Sequence, residues 1–549
     1  MYNQLKDIDP DKLSGSDARS AIILLLGAVE RLMSEIEGLK KENQLLRDEN
    51  NRLKGGNSRP YVKGSVKRPI NISSGGKEKG GVKEGGKGDI KHTSFVEIDE
   101  TVKVEFDKSQ LPVDAIFKGY TPYTQQDIEI KRNNRVFLFE NWYSPAMGKT
   151  FSAPWPEGEL AGHYGAGIRS LLSVLHHMSD VTEGQLCNLM KSFGVKMSAG
   201  TISNLLKKEA VWALEEQENI LRAGLKCALP KQMDTTANRQ KGVNKMTHII
   251  TNALFAVFYT TDTRNRLDCL RVLQGNPQEG IKLLWYEGIE VALRAGKLGA
   301  GHPEKLKKLM EHTPCLTLTQ FDTLMEKEAP ELFKRTNVMR VMREEMALAY
   351  YKWQQDFLPI KVLLSDDAHE YNKITEHHGL CWVHDARRYN MLSPSINWHA
   401  KKLGAFKTRY WEYYQKLLHY TQQKEEDRQK LKTELLEEFD ELFTTSTRYE
   451  SLDKVMEGTL ANKQNLLLAL EFPDLPLHNN AAELAARRVV RKRDISLHTW
   501  STWGTKLRDA FLSIIQTAYK LKVSPFQFIC DRISQKNQMP SLATLILQD

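Results

Sequence analysis

The sequence has no Cys-x-x-Cys pair. Its six cysteines, Cys187, Cys227, Cys269, Cys315, Cys381 and Cys530, are scattered, which argues against a disulfide framework or a cysteine-rich zinc module. Long apolar runs are missing too. The longest near the N-terminus is AIILLLGAV, residues 21–29, against the roughly 20 residues needed to cross a bilayer. No basic segment and small-residue cleavage site frame it, so no secretory signal is expected. The chain is expected to be cytoplasmic, with no membrane partner.

With 549 residues, 41% hydrophobic and 27% charged, the chain has the make-up of an ordinary globular protein of roughly two to four domains. Its net charge of +9 is unevenly placed: between Lys54 and Lys91, ten lysines and arginines face only Glu78, Glu84 and Asp89, a local +7. A basic segment of that kind suits phosphate backbones or serves as a solvated linker. Ten glycines between Gly55 and Gly88 leave nothing to build a core, so 55–93 reads as a basic Gly/Lys-rich tether.

Ahead of the tether, residues 1–54 carry heptads. Leu25, Leu32, Leu39, Leu46 and Leu53 repeat every seven residues, with Val29, Ile36, Asn43 and Asn50 between them. This is an apolar seam of the coiled-coil type, and asparagine within it favours a parallel, in-register dimer. Residues 94–160 contain VKVEF, DIEIKR and RVFLFENWY and read as a small β-rich module. Within 161–226, VTEGQLCNLMKSFGVKMSAGTISNLLKKEA (181–210) predicts a helix, a turn at Gly194 and a second helix capped by Ser198. That is either a DNA-reading helix-turn-helix or a generic helical hairpin.

The texture changes at 227. ALPKQMDTT (228–236), THIITNALFAVFYTT (247–261) and RLDCLRVLQ (266–274) predict three successive strands. Residues 277–355 are mostly helical, IKVLLSDDAHEY (360–371) is a buried strand ending in acids, and HGLCWVHDARRY (378–389) is expected to be another strand. Residues 399–445 predict one long helix, and 501–549 a helical end. Strands followed by interleaved helices and strands indicate α/β, with a central sheet covered by helices.

Three acids stand on separate elements of that domain: Asp234 on the first strand, Asp366 at the end of the fourth, and Glu483 in NNAAELAARRVVRKRD (479–494). Carboxylates that converge can hold two Mg²⁺ ions about 4 Å apart for in-line displacement at phosphorus, with nearby arginines holding phosphates. Asp367 competes with Asp366, since one step along a strand turns a side chain to the other face. His377, His378, Cys381 and His384 form a rival zinc site, disfavoured because a strand spreads them over both faces.

These motifs resemble one family. HNNAAELAARRVVRKR is similar to the DNNxAExxxR block of the insertion-sequence sixty-six type (TnpC-like) DDE transposases. DDAHEYNKITEHHGLCWVHDARRY is similar to its DGYxxY and GCWAHxRR blocks, and SIIQTAYKLKVSPFQFI to its terminal helix pair. The resemblance implies an RNase H-like catalytic core over 227–500, with helical insertions at 277–355 and 395–475, preceded by the coiled coil and a small DNA-binding region. It implies a metal-binding catalytic triad of Asp234, Asp366 and Glu483. Asn479, Asn480, Arg487, Arg488, Lys492 and Arg493 would support Glu483 and the DNA, and Trp382, His384, Arg387 and Arg388 would flank the site. The cofactor implied is Mg²⁺, with Mn²⁺ as a substitute. Double-stranded DNA, a second copy of the chain and accessory proteins of the same element are the implied partners, in a nucleoid-associated bacterial setting. The sequence departs from the pattern at His478, which stands for Asp, and at Asp367-Ala368, which stand for Gly-Tyr. The family's zinc-finger cysteines are absent near 95–150, so no zinc is expected.

Overall fold

The computed structural model describes residues 7–53 and 98–548, apart from 108–110, 112–114, 129, 276, 278–279, 287–288, 290, 292–301, 311–314 and 356–358. The basic tether at 55–93 lies outside the described residues. The first long element is helix α1 (Ser16–Leu53). Its Leu26 packs on Ile396 and Trp398. Glu30 is buried: it accepts from the Ser395 backbone N–H at 3.1 Å and from the Tyr449 hydroxyl at 3.2 Å, and it pairs with His399. Leu25, Leu32, Ile36, Leu39 and Leu46 of the heptad seam are exposed. The helix therefore has a docked side and an open apolar side.

Of the β-rich module expected at 94–160, the described residues form only the hairpin of β1 (Asn141–Ser144) and β2 (Lys149–Ser152). VKVEF and DIEIKR alternate as strands do but form no strand among the described residues, and Val102, Val104, Phe106, Ile128 and Ile130 are exposed.

Helices α2 (Ala166–His177), α3 (Glu183–Ser192) and α4 (Ala199–Lys208) pack through Leu172, Leu186, Met190 and Ile202. Thr182 and Gln185 form a reciprocal capping box on α3, and the Ser198 hydroxyl caps α4. Gly194 between them has φ +72°, a left-handed conformation that glycine adopts without strain. The expected helix–turn–helix path is present, and α5 (Ala210–Lys226) leads from it into the sheet.

Strands β3 (Lys231–Gln240), β4 (Val243–Thr251) and β5 (Ala256–Thr261) form an antiparallel meander. The chain then runs through α6 (Arg266–Leu273), β6 (Lys282–Leu284), helix α7 (His302–Met310), β7 (Cys315–Thr317), which pairs antiparallel with β6, and helices α8 (Leu318–Glu328) and α9 (Thr336–Trp353). It returns as β8 (Val362–Ser365), parallel to β3, followed by β9 (His377–Leu380), parallel to β8. The five-stranded order is β5-β4-β3-β8-β9.

Three expected strands are corrected. THIITNALFAVFYTT is the end of β4 and then β5, separated by a turn in which Asn252 Oδ1 accepts from the Leu254 and Phe255 N–H groups. RLDCLRVLQ is the helix α6: Asn265 caps it by accepting from Asp268 N, and Cys269, Leu270, Val272 and Leu273 are buried at helical spacing. HGLCWVHDARRY is a strand only to Leu380. Trp382, Asp385, Ala386 and Tyr389 then repeat at the three-and-four spacing of an amphipathic helix, α10 (Trp382–Asn390). The long helix expected at 399–445 is two, α11 (Asn397–Thr421) and α12 (Glu425–Thr444). Glu425, Glu426 and Asp427 open α12, where acids suit the positive end of the helix dipole. The chain continues through α13 (Glu450–Ala461), α14 (Asn480–Ser496), α15 (Thr502–Lys520), α16 (Pro525–Ile533) and α17 (Leu542–Gln548).

Strand alternation divides the core between the two faces of the sheet. Ile250 and Val257 join the main core with Leu221 of α5 and Ile514 of α15, whereas Ile249, Ala256 and Phe258 meet Ala485, Ala486 and Val489 of α14. Gly224 of α5 makes the close approach possible, since a Cβ there would lie 2.5 Å from the Phe255 ring. Helices α10 to α13 have a core of their own around Trp382, Tyr410, Tyr413 and Phe439. No described helix is long and apolar enough to cross a membrane.

Candidate active site

The register of the two central parallel strands brings the first two acids together. Gln232 of β3 pairs with Leu364 of β8; Asp234 follows two residues on along β3 and Asp366 just past the end of β8, near enough for the charge of Asp366 to act on Asp234. Glu483 lies in the first turn of α14, which packs on β3. Asn479 fixes that helix start: its side-chain Nδ2 donates to the Met233 carbonyl at 2.8 Å, and its backbone N–H donates to Cys381 Sγ at 3.2 Å.

The three carboxylates differ in their surroundings. Asp234 accepts from the Thr235 backbone N–H at 2.8 Å. Burial, opposed by that bond, and the negative charges of Asp366 and Glu483 push its carboxyl up to about 6. Asp366 is raised as well, mainly by burial, with His384 opposing, and its Oδ1 is buried with no hydrogen-bond partner. Glu483 Oε1 accepts from Arg387 Nη2 at 2.9 Å and lies 3.7 Å from His384 Nε2. Asp367 is exposed and accepts from Asn462 Nδ2 at 3.3 Å. Asp366 and Asp367 both line a cavity of about 280 Å³, with Leu380, Cys381, His384, Arg388 and Asn462 among others.

Hard oxygen donors of this kind suit Mg²⁺. The orphaned Asp366 oxygen and the mutual repulsion felt by Asp234 fit a cation between them. Among the described residues, no three His, Cys, Asp or Glu side chains already stand close enough to hold a metal, and Glu483 is engaged by Arg387 and His384. The donor chemistry fits, with Asp234 and Asp366 as the residues that would hold the ion and Glu483 as the one to complete the set.

Burying these acids without a cation has a stability consequence. A carboxyl raised from 3.8 to about 6 holds its proton in the folded state at a pH where the unfolded state has lost it. Stability therefore falls as pH rises from 3.8 toward 6, and the cost stays in place above that window. Asp234→Asn should stabilise the cation-free protein at pH 7.5 by up to roughly 3 kcal/mol, at about 1.4 kcal/mol per pH unit. The gain should fade as the pH is lowered from about 6 and be gone below about 4. Chemical denaturation in EDTA at both pH values checks this, and an Asp234→Asn protein no more stable than wild type at pH 7.5 contradicts it.

The other residues singled out from sequence separate into two groups. His384 and Arg387 reach the acids, and Arg487 and Arg491 are exposed on α14 at four-residue steps from Glu483. Arg488 and Lys492 face inward, donating to the Met178 and His176 carbonyls at 3.0 and 2.7 Å and flanking Asp180. Arg493 Nη1 donates to the Ala237 carbonyl of β3 at 2.7 Å. Three of the five basic residues from Arg487 to Arg493 thus brace the fold instead of facing outward. Trp382, expected beside the DNA, is fully buried and donates to the Leu466 carbonyl at 2.9 Å. Asn479 is buried too, and Asn480 is the half-buried first residue of α14. Arg388 pairs with Asp385 at 3.1 Å and lies across Gly458, where a Cβ would collide with its guanidinium. Of the rival zinc ligands, His378 bonds Ser365 Oγ at 2.7 Å and His377 packs on Phe472.

Residues 353–507 match the transposase IS66 family. The IS66 match runs from the end of α9 through β8, β9 and the α10–α13 helices to the start of α15, and so contains Asp366 and Glu483 but not Asp234. It supports an IS66-type transposase, as the motifs imply, and DNA is the partner such a family implies. An uncharacterized protein of Sinorhizobium fredii, y4jO, is 29% identical over 330 residues, which is 60% of this chain and 99% of that protein. No solved structure matches the chain.

Proposed function

We propose that the protein is a DDE transposase of an insertion sequence. In this reading its core is RNase H-like, it binds the terminal inverted repeats, and it carries out metal-dependent strand cleavage and strand transfer. The charges of Asp366 and Glu483 acting on Asp234, with the first two acids at the ends of the central strands β3 and β8, carry the reading, and the IS66 match supports it.

In cleavage, water attacks the phosphorus at the element's end, the P–O3′ bond breaks, and the leaving oxygen takes a proton to become a 3′-hydroxyl. In transfer, that hydroxyl attacks a target phosphodiester, so one P–O bond forms as another breaks. Both are in-line displacements, so one site serves both. A divalent cation held by the carboxylates supplies Lewis-acid activation of the attacking oxygen and charge stabilisation at the leaving one. Asp234 and Asp366 supply the negative field that holds it. Arg387, released from Glu483, together with Arg487 and Arg491, supplies positive charge for the flanking phosphates.

The test is a mobility assay in a bacterial host, with the gene's flanking DNA framing a selectable marker and new insertions read at their junctions. Wild type should insert, and Glu483→Gln should fall to background while still binding the ends. Cleavage without joining would instead mark a nuclease, and binding with no metal-dependent activity a repressor derived from a transposase.

A further inference from the structure

We propose that Arg264 is a substrate-phosphate-binding residue of the acid site and that Glu370 is the positioning residue that clamps it. The inference rests on the transposase reading and adds to it two residues that the family motifs did not single out.

Arg264 lies in the loop between β5 and α6. Its Nε and Nη2 both donate to Glu370 Oε1, at 2.8 and 2.6 Å. Glu370 is completely buried, four residues beyond Asp366. Among the described residues its second oxygen makes no hydrogen bond, and the exposed His369 ring lies 3.5 Å from it. The turn that carries Glu370 is held from two further directions. Arg266 Nη2 donates to the His369 carbonyl at 2.9 Å, and the Tyr371 hydroxyl lies 2.9 Å from Thr235 Oγ1, next to Asp234.

A buried carboxylate paired with one arginine is a poor way to add stability, because desolvation cancels much of the attraction and an apolar residue of the same volume does as well or better. What the pair does achieve is orientation. The Arg264 side chain remains half exposed while its partner is fully buried. Its charge acts on both Asp234 and Asp366. Among the described residues no group takes its Nη1. A site with three carboxylates repels a phosphodiester, and a guanidinium fixed along one edge offers the other edge to phosphate oxygens without reorganising.

The test uses the full chain and duplexes copied from the DNA that flanks the gene. Binding is followed against salt concentration in Ca²⁺, and cleavage at saturating DNA in Mg²⁺. Arg264→Ala should reduce the slope of log affinity against log salt by about 1, the signature of one lost phosphate contact. It should slow cleavage by roughly 10²-fold, the scale for one preorganised donor, and it should lower the unfolding midpoint too, because Glu370 is left buried without its donors, so the salt slope is the deciding readout. Arg264→Lys should restore the slope and only part of the rate. Glu370→Gln should keep the slope and slow cleavage, because the cation remains but is no longer held. The proposal is overturned if Arg264→Ala keeps the wild-type slope, whether its cleavage is normal or falls together with the unfolding midpoint; the pair is then an internal brace. Wild-type protein that neither binds nor cuts these duplexes would instead overturn the transposase reading, and this inference with it.

Discussion

Asp366→Asn should abolish insertion, and Asp367→Asn should leave it within a few-fold of wild type. The two residues are neighbours in sequence and chemically identical, so composition cannot rank them. Their surroundings can. Asp366 continues β8 beside Asp234, is half-buried, and holds an oxygen with no partner. Asp367 is exposed and meets Asn462. Replacing even the hydrogen-bonding partner of a metal ligand costs about 10- to 100-fold, so loss of a ligand should exceed roughly 10²-fold. Counting junctions in the mobility assay separates the two, and the reverse ranking would place Asp367 in the site and break the reading of the β3–β8 edge.

The second large effect concerns stability. Trp382→Ala should destabilise the protein by about 3–5 kcal/mol, the range for emptying a large aromatic site in a core. Trp382 opens α10 and packs against Tyr410, Tyr413, Tyr414 and Phe439. Its indole N–H is committed to Leu466, and its backbone N–H to the Leu477 carbonyl at 3.0 Å. It therefore joins the end of the sheet to the α11–α13 helices. Trp382→Phe, which keeps most of the apolar volume and loses the N–H, should cost less. Urea unfolding followed by tryptophan-independent circular dichroism measures both. A Trp382→Ala protein as stable as wild type, with DNA binding lost, would return this residue to the surface role that its motif suggests.

Those two cases show what the sequence could and could not disclose. The acids were legible because each ends or interrupts an apolar strand or helix pattern, but strand periodicity left Asp366 and Asp367 equal, and the family resemblance chose between them. Trp382 was misread because VHDARRY after a short strand looks like more strand until the burial of Asp385, Ala386 and Tyr389 reveals a helical repeat. Arg488 and Lys492 were assigned to DNA with the rest of the basic run. Their true partners, the carbonyls of Met178 and His176, lie some 310 residues away in the chain, a distance no local pattern reports. Arg264 sits in DTRN (262–265), a loop whether the next element is read as a strand or as the helix α6, and nothing local reports its partner Glu370, 106 residues further on.

Helix α1 has a mechanical consequence. Its contacts with the α11–α13 region end near Arg31, whose guanidinium meets Glu450 at 3.0 Å, and every residue from Ser34 to Asn43 is exposed. At about 1.5 Å per residue, the stretch from Ser34 to Leu53 extends roughly 30 Å beyond its anchor, close to one turn of B-form DNA. A pairing made on the outer leucines would leave the anchored side untouched, so two bodies could be coupled and still keep a duplex-sized gap between them. The helix is then a spacer as well as a grip, and shortening it by whole heptads would preserve its seam while closing that gap.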